Sequence, residues 1–578
     1  MAKNPGSVRS SQLVTTYGVG SLVAAGDESF IVAGIEDWPE NDRFTMHEPR
    51  LERILHVNRF MRPPYSDQDG SRDVPVRRFP RQHSCPQCHR LNDIMFFNNQ
   101  FGENTCTRCE GEPRLVPSRF VVACANGHLD EFPYFGWVHQ QKPHPEGEKP
   151  KLKLETRGES AGLDDVVVSC SCGARRSLHG AFGGQALQGV KRCGGKRPWL
   201  ASDQTEECDL VPVALQRGAS NVWFASSLSA ISIPPWSDAA FKLIARHWEM
   251  LRVFPPEQWR NALEVLDKQK QITDEETSIE DLYQAALHRL RQEEGDGDDP
   301  DVKAEEYEAL MKGAVERPEN HFVCIDAPDS GPTVASYFPT VKQVTKLREI
   351  RVLTGFSRLA SPSGEDENGE GGNVIPLPGP QLGWLPAIEV IGEGVFLDLG
   401  GSRLEAWEQR ADVRARASRI GEYAPATSPH DPIMKVTPRL VLLHTLAHVL
   451  IDQWALESGY SASALRERIY CTPERAGLLI YTASSDSAGS LGGVIGMTEA
   501  GRLEASLVEA MHRASWCSAD PICIESANQG VDSMNLAACH ACALLPETSC
   551  ELRNQVLDRG LLVGTADDPS IGYFSDLR

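Results

Sequence analysis

The chain has no uninterrupted run of about 20 apolar residues, the length a helix needs to cross a bilayer. Its opening, Met1-Ala2-Lys3-Asn4-Pro5-Gly6, lacks the apolar core of a secretory signal. A soluble cytoplasmic protein with no membrane partner is the expectation. No Gly-Lys-Ser/Thr ending of a phosphate-binding loop occurs anywhere, so no nucleotide cofactor is expected here, and any motor would be another chain. No internal repeat is visible. A basic excess is also lacking: the net charge is −22, which argues against a protein that coats DNA nonspecifically.

What the chain has in quantity is cysteine, sixteen residues of it. In a reducing compartment disulfides are rare, so clustered thiols point to metal. Cys85-Pro86-Gln87-Cys88 and Cys106-Thr107-Arg108-Cys109 form two Cys-x-x-Cys pairs separated by 17 residues, a zinc-ribbon pattern. Each pair turns two thiolates toward one ion, and zinc takes four donors in a tetrahedron. With four cysteines no position stays open, so the expected role is structural. A second set is Cys170-Ser171-Cys172-Gly173, Cys193 and Cys208. Near it, Cys124-Ala125-Asn126-Gly127-His128 either supplies two of the ligands or consists of ordinary core and turn residues. The third set is chosen as Cys523, Cys539, Cys542 and Cys550, leaving Cys517 as the bystander. Three structural Zn²⁺ ions are expected, or two.

Length alone suggests roughly four domains. Residues 1–80 read as a β-rich segment, with strands over Gln12–Val23 and Phe30–Ile35. Residues 81–233 form the zinc-binding region, interrupted by a polar loop from Gln140 to Glu159. Residues 234–382 form a helical middle region with acidic inserts at Glu293–Asp301 and Ser361–Asn373. One apolar helix face there carries Phe241, Ile244, Trp248 and Leu251. Residues 383–578 form a C-terminal α/β domain. In it Thr437 caps a helix begun by Pro438, whose buried face is Leu440, Leu443, Ala447, Ile451 and Trp454. A strand over Leu478–Ala483 and a helix over Glu499–Ala514 follow. The fold class is a multidomain mixture of α/β and α+β.

Two features invite a catalytic reading. His444-Thr445-Leu446-Ala447-His448 has the spacing of a zincin helix, yet Thr445 stands where such a protease carries its glutamate base. The loop Ser484–Gly493, with Asp486, has the composition to cradle a phosphate or hold a divalent metal. A metal-dependent hydrolase or nuclease using His444, His448 and Asp486 is therefore an alternative to a protein without catalytic residues. Basic residues are concentrated between Arg50 and Arg90, where nine arginines face four acids, and over Val341–Arg358. Arg77, Arg78, Lys191, Arg192, Lys196 and Arg197 are the candidate phosphate contacts.

Several strings resemble DrmB-type proteins of the DISARM anti-phage system. They are Ser11-Gln12-Leu13-Val14-Thr15-Thr16-Tyr17-Gly18, Val74-Pro75-Val76-Arg77-Arg78-Phe79-Pro80, Asn126-Gly127-His128-Leu129-Asp130-Glu131-Phe132-Pro133 and Leu215-Gln216-Arg217-Gly218. The stretch Ala537-Ala538-Cys539-His540-Ala541-Cys542 through Cys550-Glu551 resembles the zinc-binding domain at the C-terminus of Mrf-type helicases. The resemblance implies a non-motor subunit acting beside a DrmA-type helicase and DNA, while a methyltransferase marks host DNA. It transfers no catalytic residue, only the cysteines as metal ligands. A scaffold that touches protein alone is the third reading.

Overall fold

Thr437 accepts the Leu440 amide at 3.2 Å and Pro438 takes the first turn, so the helix Pro438–Ser458 starts where its residue types favour it. Gly459, at φ 77°, ends it in the left-handed conformation that glycine tolerates. The predicted apolar face is buried, but so is most of the rest: fifteen of the 21 residues, among them His444, Thr445 and His448. A helix that is apolar nearly all round needs cover on every side, and this one is enclosed by other elements of its unit.

The computed structural model describes residues 8–65, 73–97, 104–147, 149–157, 162–201, 205–237, 239–268, 278–293, 301–316, 320–360, 373–421, 436–482, 493–530 and 533–577. They divide into two compact units. One draws on Met1–Thr45, Phe60–Leu228 and Val352–Ile388, the other on Met46–Arg59, Ser229–Arg351 and Glu389–Arg578. Each unit is built from three separate pieces of chain. Grouping in space therefore does not follow the four consecutive segments that composition suggests, and 383–578 is divided after Ile388.

In the second unit, Leu465–Thr472 pairs antiparallel with Arg475–Thr482 over its whole length, and Arg475–Thr482 pairs in turn with Gly394–Asp398. Side chains alternate between two cores, as period-two strands require. Ala476, Leu478 and Ile480 join the cluster around Pro438–Ser458, with Leu503, Leu507 and Leu562. Leu479 and Tyr481 join the opposite cluster with Trp248, Trp259 and Leu282, from the helices Ala239–Leu251, Pro256–Lys268 and Ile279–Glu293. Both faces of the sheet are covered, which is why Leu478-Leu479-Ile480-Tyr481 reads as a continuous apolar run.

Among the described residues, three sheets lie wholly within the first unit. The hairpin Leu22–Ala25 and Glu28–Val32 extends to Val76–Arg78. Gln12–Thr15, expected as strand, is one helical turn. Leu129–Glu131, Phe120–Ala123 and Val213–Gln216 form the second sheet. The third runs, in spatial order, Arg175–Ser177, Val166–Cys170, Leu152–Thr156, Arg90–Asp93, Gln82–Ser84 and Val116–Pro117. The insert expected as loop thus contributes the strand Leu152–Thr156, which joins the two cysteine-bearing hairpins. Ser484–Gly493 with Asp486, and the two acidic inserts, fall largely outside the described residues. Among the described residues no helix is long and apolar enough to cross a membrane.

Candidate metal centres

The ribbon cysteines sit in two turns of the same kind. Cys85 donates its amide to Arg90 O at 3.0 Å, and Cys106 donates to Pro113 O at 2.8 Å. Left-handed residues close each turn, His89 at φ 58° and Gly111 at φ 77°. The four sulfurs converge. Cys85 Sγ and Cys106 Sγ each lie 3.7 Å from Cys109 Sγ, and all four lie within 4.8 Å of one another. A tetrahedron with Zn–S bonds of ~2.3 Å has S···S edges of ~3.8 Å, so the donors fit zinc. Among the described residues, Ile94, Phe97 and Leu115 join Cys85 and Cys106 in the buried cluster here.

The second expected set is not brought together. Cys193 and Cys208 lie with Cys124 and His128, whereas Cys170 and Cys172 lie with His139 and His144. The reason is topological. Cys124 and His128 flank the tight turn between Phe120–Ala123 and Leu129–Glu131, and Cys170 ends a strand in a different sheet. In the first of these quartets, Cys193 Sγ lies 3.5 Å from Cys124 Sγ and 3.5 Å from His128 Nδ1. The other ring nitrogen, Nε2, lies 2.8 Å from Glu206 Oε2, the outer-shell carboxylate that orients a ligating imidazole. Gly195 is obligatory, since a Cβ there would stand 1.7 Å from Glu206 O. In the second quartet, His139 Nδ1 faces Phe135 O at 2.8 Å, leaving Nε2 directed at Cys172 Sγ, 3.3 Å away. His144 Nε2 is buried without a hydrogen-bond partner, which suits a nitrogen reserved for a cation.

The third set is also rearranged. Cys517, expected as bystander, closes the quartet with Cys523, Cys539 and Cys542. Cys517–Cys539, Cys523–Cys542 and Cys539–Cys542 sulfur separations are 3.5, 3.8 and 3.7 Å. Cys550 lies instead against His444 Nε2 at 3.1 Å, with His448 and Glu467. Sequence spacing made Cys550 the nearest spare thiol downstream of Cys542. The turn after Cys542 carries it away toward the helix Pro438–Ser458.

Comparison with known proteins bears on these quartets. Across 584 aligned residues, covering 95% of this chain and 99% of the relative, 31% of positions are identical to "DISARM protein DrmB" of Bacillus paralicheniformis. The chain belongs to the DrmB family. Residues 9–224 match a domain of unknown function, DUF8724, and residues 446–543 match the MrfA Zn-binding domain. All four members of the Cys517 quartet lie inside the latter match, and Cys550 lies beyond it. A solved structure, the DUF1998 helicase MrfA bound to DNA, aligns over 38% of this chain and 23% of its own at 9% identity with a TM-score of 0.21, too weak to define a shared fold.

In this DrmB-family chain the paired thiols split. The hydrogen bond from Cys124 pulls Cys193 down to about 4 and that from Cys542 pulls Cys523 down to about 5, while the same contacts push Cys124 and Cys542 up. Cys193, then Glu206, raise His128 to about 9, against burial. Burial pushes Glu467 upward, but His444 and His448 prevail and hold it well below the usual carboxylate range.

The candidate phosphate contacts are mostly engaged. Arg77 meets Asp37 at 2.6 Å, Arg78 meets Glu28 at 3.1 Å and Arg197 meets Glu206 at 2.5 Å. Lys191 and Lys196 share Asp130. Arg192 is exposed, and Lys196 keeps 56% of its side chain in solvent. The cations of the strand Thr340–Ser357 are likewise engaged: Lys342 pairs with Asp326, Lys346 with Glu316, Arg348 with Glu389 and Arg351 with Glu349.

His139, His144 and Glu467 were invisible to sequence reasoning. His144 lies in an insert that looks like loop, and Glu467 in an ordinary strand. The signal available in the sequence is the pair Cys170/Cys172, whose two further donors spacing assigns to Cys193 and Cys208 rather than to His139 and His144.

Glu131, beside this region, gives a pH-dependent prediction. Its Oε1 accepts the Arg81 amide at 2.5 Å, while Oε2 is buried and unpartnered. Burial, with Asp130 adjacent, pushes its carboxyl up to about 7. The folded state therefore holds a proton that the unfolded state has released, and stability falls as pH rises from about 4.5 to about 7. Glu131→Gln should abolish that slope and raise stability at pH 8 by about 3 kcal/mol. Urea unfolding of both proteins at pH 5 and pH 8 checks it; equal slopes in pH would refute it.

Proposed function

We propose that this chain is a non-catalytic, zinc-stabilised subunit of a DISARM-type anti-phage complex that contacts a DrmA-type helicase and DNA. Identity of 31% over nearly the whole length to a DISARM DrmB carries the reading. The match to an MrfA Zn-binding domain supports a helicase-associated role. Four closed quartets support structural rather than catalytic zinc, at one ion each. The hydrolase alternative finds less support. His444 and His448 are both 0% exposed, so no substrate reaches them. Thr445, in place of a glutamate base, bonds Val441 O and accepts the Asp558 amide.

Arg192 and Lys196 are the DNA contacts with the most solvent access, and the paired Arg77, Arg78, Lys191 and Arg197 supply a weaker background. Arg192→Glu with Lys196→Glu, tested in the assembled complex with the helicase chain, should weaken DNA binding at least tenfold. It should also lower the slope of log affinity against log salt by about two. Unchanged affinity and slope would remove the DNA role and leave a scaffold that touches protein alone.

A further inference from the structure

His444 and His448 lie one turn apart on the helix Pro438–Ser458, so both rings leave the same face. Opposite stands Leu465–Thr472, where residues 465, 467, 469 and 471 point toward that helix. Leu465, Ile469 and Cys471 belong to the cluster around it. Glu467 is the polar member of this apolar row and is 0% exposed. Cys550, 5% exposed, closes the group from a third segment.

Each of these four groups has its outer side fixed by the backbone. His448 Nδ1 faces Ala543 O at 2.7 Å, and His444 Nδ1 faces Val556 O at 3.4 Å. A carbonyl accepts only, so both rings carry a proton on Nδ1, and a neutral ring in this setting turns its Nε2 lone pair inward. Glu467 Oε1 accepts the Glu551 amide at 3.0 Å, and Cys550 Sγ accepts the Asn554 amide at 3.1 Å. The inner sides then confront each other. His444 Nε2 lies 3.1 Å from Glu467 Oε1 and 3.1 Å from Cys550 Sγ, and His448 Nε2 lies 3.6 Å from Glu467 Oε1. Lone pairs buried at such distances repel unless a proton or a metal ion lies between them, and a metal ion satisfies all four donors at once. His448 Nε2 and Glu467 Oε2 are moreover buried with no hydrogen-bond partner.

We propose that His444, His448, Glu467 and Cys550 form a further zinc site, closed and structural, at the centre of the second unit. Two imidazoles, a carboxylate and a thiolate are all zinc donors, and Zn–N and Zn–O bonds of ~2.0–2.1 Å give tetrahedral edges of ~3.3 Å. The backbone carbonyls behind both rings are the outer shell expected of ligating histidines. Burial of all four donors leaves no open position for a substrate. The site is distinct from the Cys517 quartet and ties the helix, the strand and the segment after Cys550 into one core. It stands independently of the DNA and helicase reading.

The test uses the full-length chain. Zinc per chain is counted by native mass spectrometry, and the same protein exchanged with ¹¹³Cd is examined by NMR. A donor set with a single sulfur should give a cadmium resonance well upfield of those from the sulfur-rich quartets. Cys550→Ser should lower the count by one ion and remove or shift that resonance alone. A wild-type spectrum without it overturns the proposal whether or not the variant folds, and so does a Cys550→Ser protein that keeps the wild-type count and spectrum.

Discussion

Cys106→Ser releases one zinc ion per chain and unfolds the ribbon while the rest of the first unit stays folded. The expectation rests on how little else holds residues 82–117. Among the described residues their own buried cluster comprises Ile94, Phe97 and Leu115 beside two of the thiols, and Leu91 is buried in the neighbouring core. A fully buried apolar side chain contributes about 1.5–3 kcal/mol, whereas structural zinc contributes about 10–16 kcal/mol at neutral pH. The ion is thus the larger part of what orders this segment. Its strands Gln82–Ser84 and Arg90–Asp93 belong to the six-stranded sheet, where Arg90 and Leu91 pair with Lys153 and Leu152. Fraying should therefore reach Leu152–Thr156 and weaken at Val166–Cys170, whose core takes Leu91 from the ribbon strands but rests mainly on residues beyond them, among them Trp137 and Leu178. Hydrogen exchange resolves this pattern. Amides of 82–117 should lose at least a thousandfold of protection, and those of Val166–Cys170 should lose little. A wild-type exchange profile with an unchanged zinc count would show that these cysteines hold no ion.

How far the sequence could be read follows from how local each signal is. The ribbon pairs and the cap at Thr437-Pro438 depend on residues within one turn of each other, and spacing locates them. The assignment of Cys170, Cys193 and Cys550 to partners depends on which strands lie side by side. Spacing carries no such information, so proximity along the chain misled twice. Cys550 was placed with Cys542, eight residues away, and belongs with His444. Charge along the chain is equally silent about pairing. Over the basic stretch Val341–Arg358, Lys346 meets Glu316 and Arg348 meets Glu389, acids from distant segments that composition does not connect to it. The apolar stripe of Pro438–Ser458 was legible, but the burial of its remaining sides was not, because it depends on elements that arrive later in the chain.

Arg358→Met destabilises the first unit by at least about 3 kcal/mol. Arg358 is 0% exposed and has no carboxylate partner among the described residues. Its guanidinium donates instead to three carbonyls, Gly127 O at 2.8 Å, Val222 O at 2.6 Å and Gly20 O at 2.7 Å. It also lies against Trp199 and Phe356, with its central carbon 5.2 and 4.9 Å from the ring centroids. Burial without a counter-charge lowers its pKa to about 9, which still leaves it charged at neutral pH. Methionine fills a similar volume but leaves three buried carbonyls without donors, and each such loss costs about 1–3 kcal/mol. Gly127 belongs to the turn Cys124–His128, so the damage extends to a candidate metal site. The variant should surrender zinc from the Cys124 quartet at a lower chelator concentration than wild type, while the ribbon ion is retained. Arg358→Lys restores a charge but not the fork that reaches three acceptors, so it should recover only part of the loss. Urea unfolding together with chelator titration tests both parts, and a methionine variant as stable as wild type, with its zinc equally tightly held, would show that the three carbonyls do not depend on this side chain.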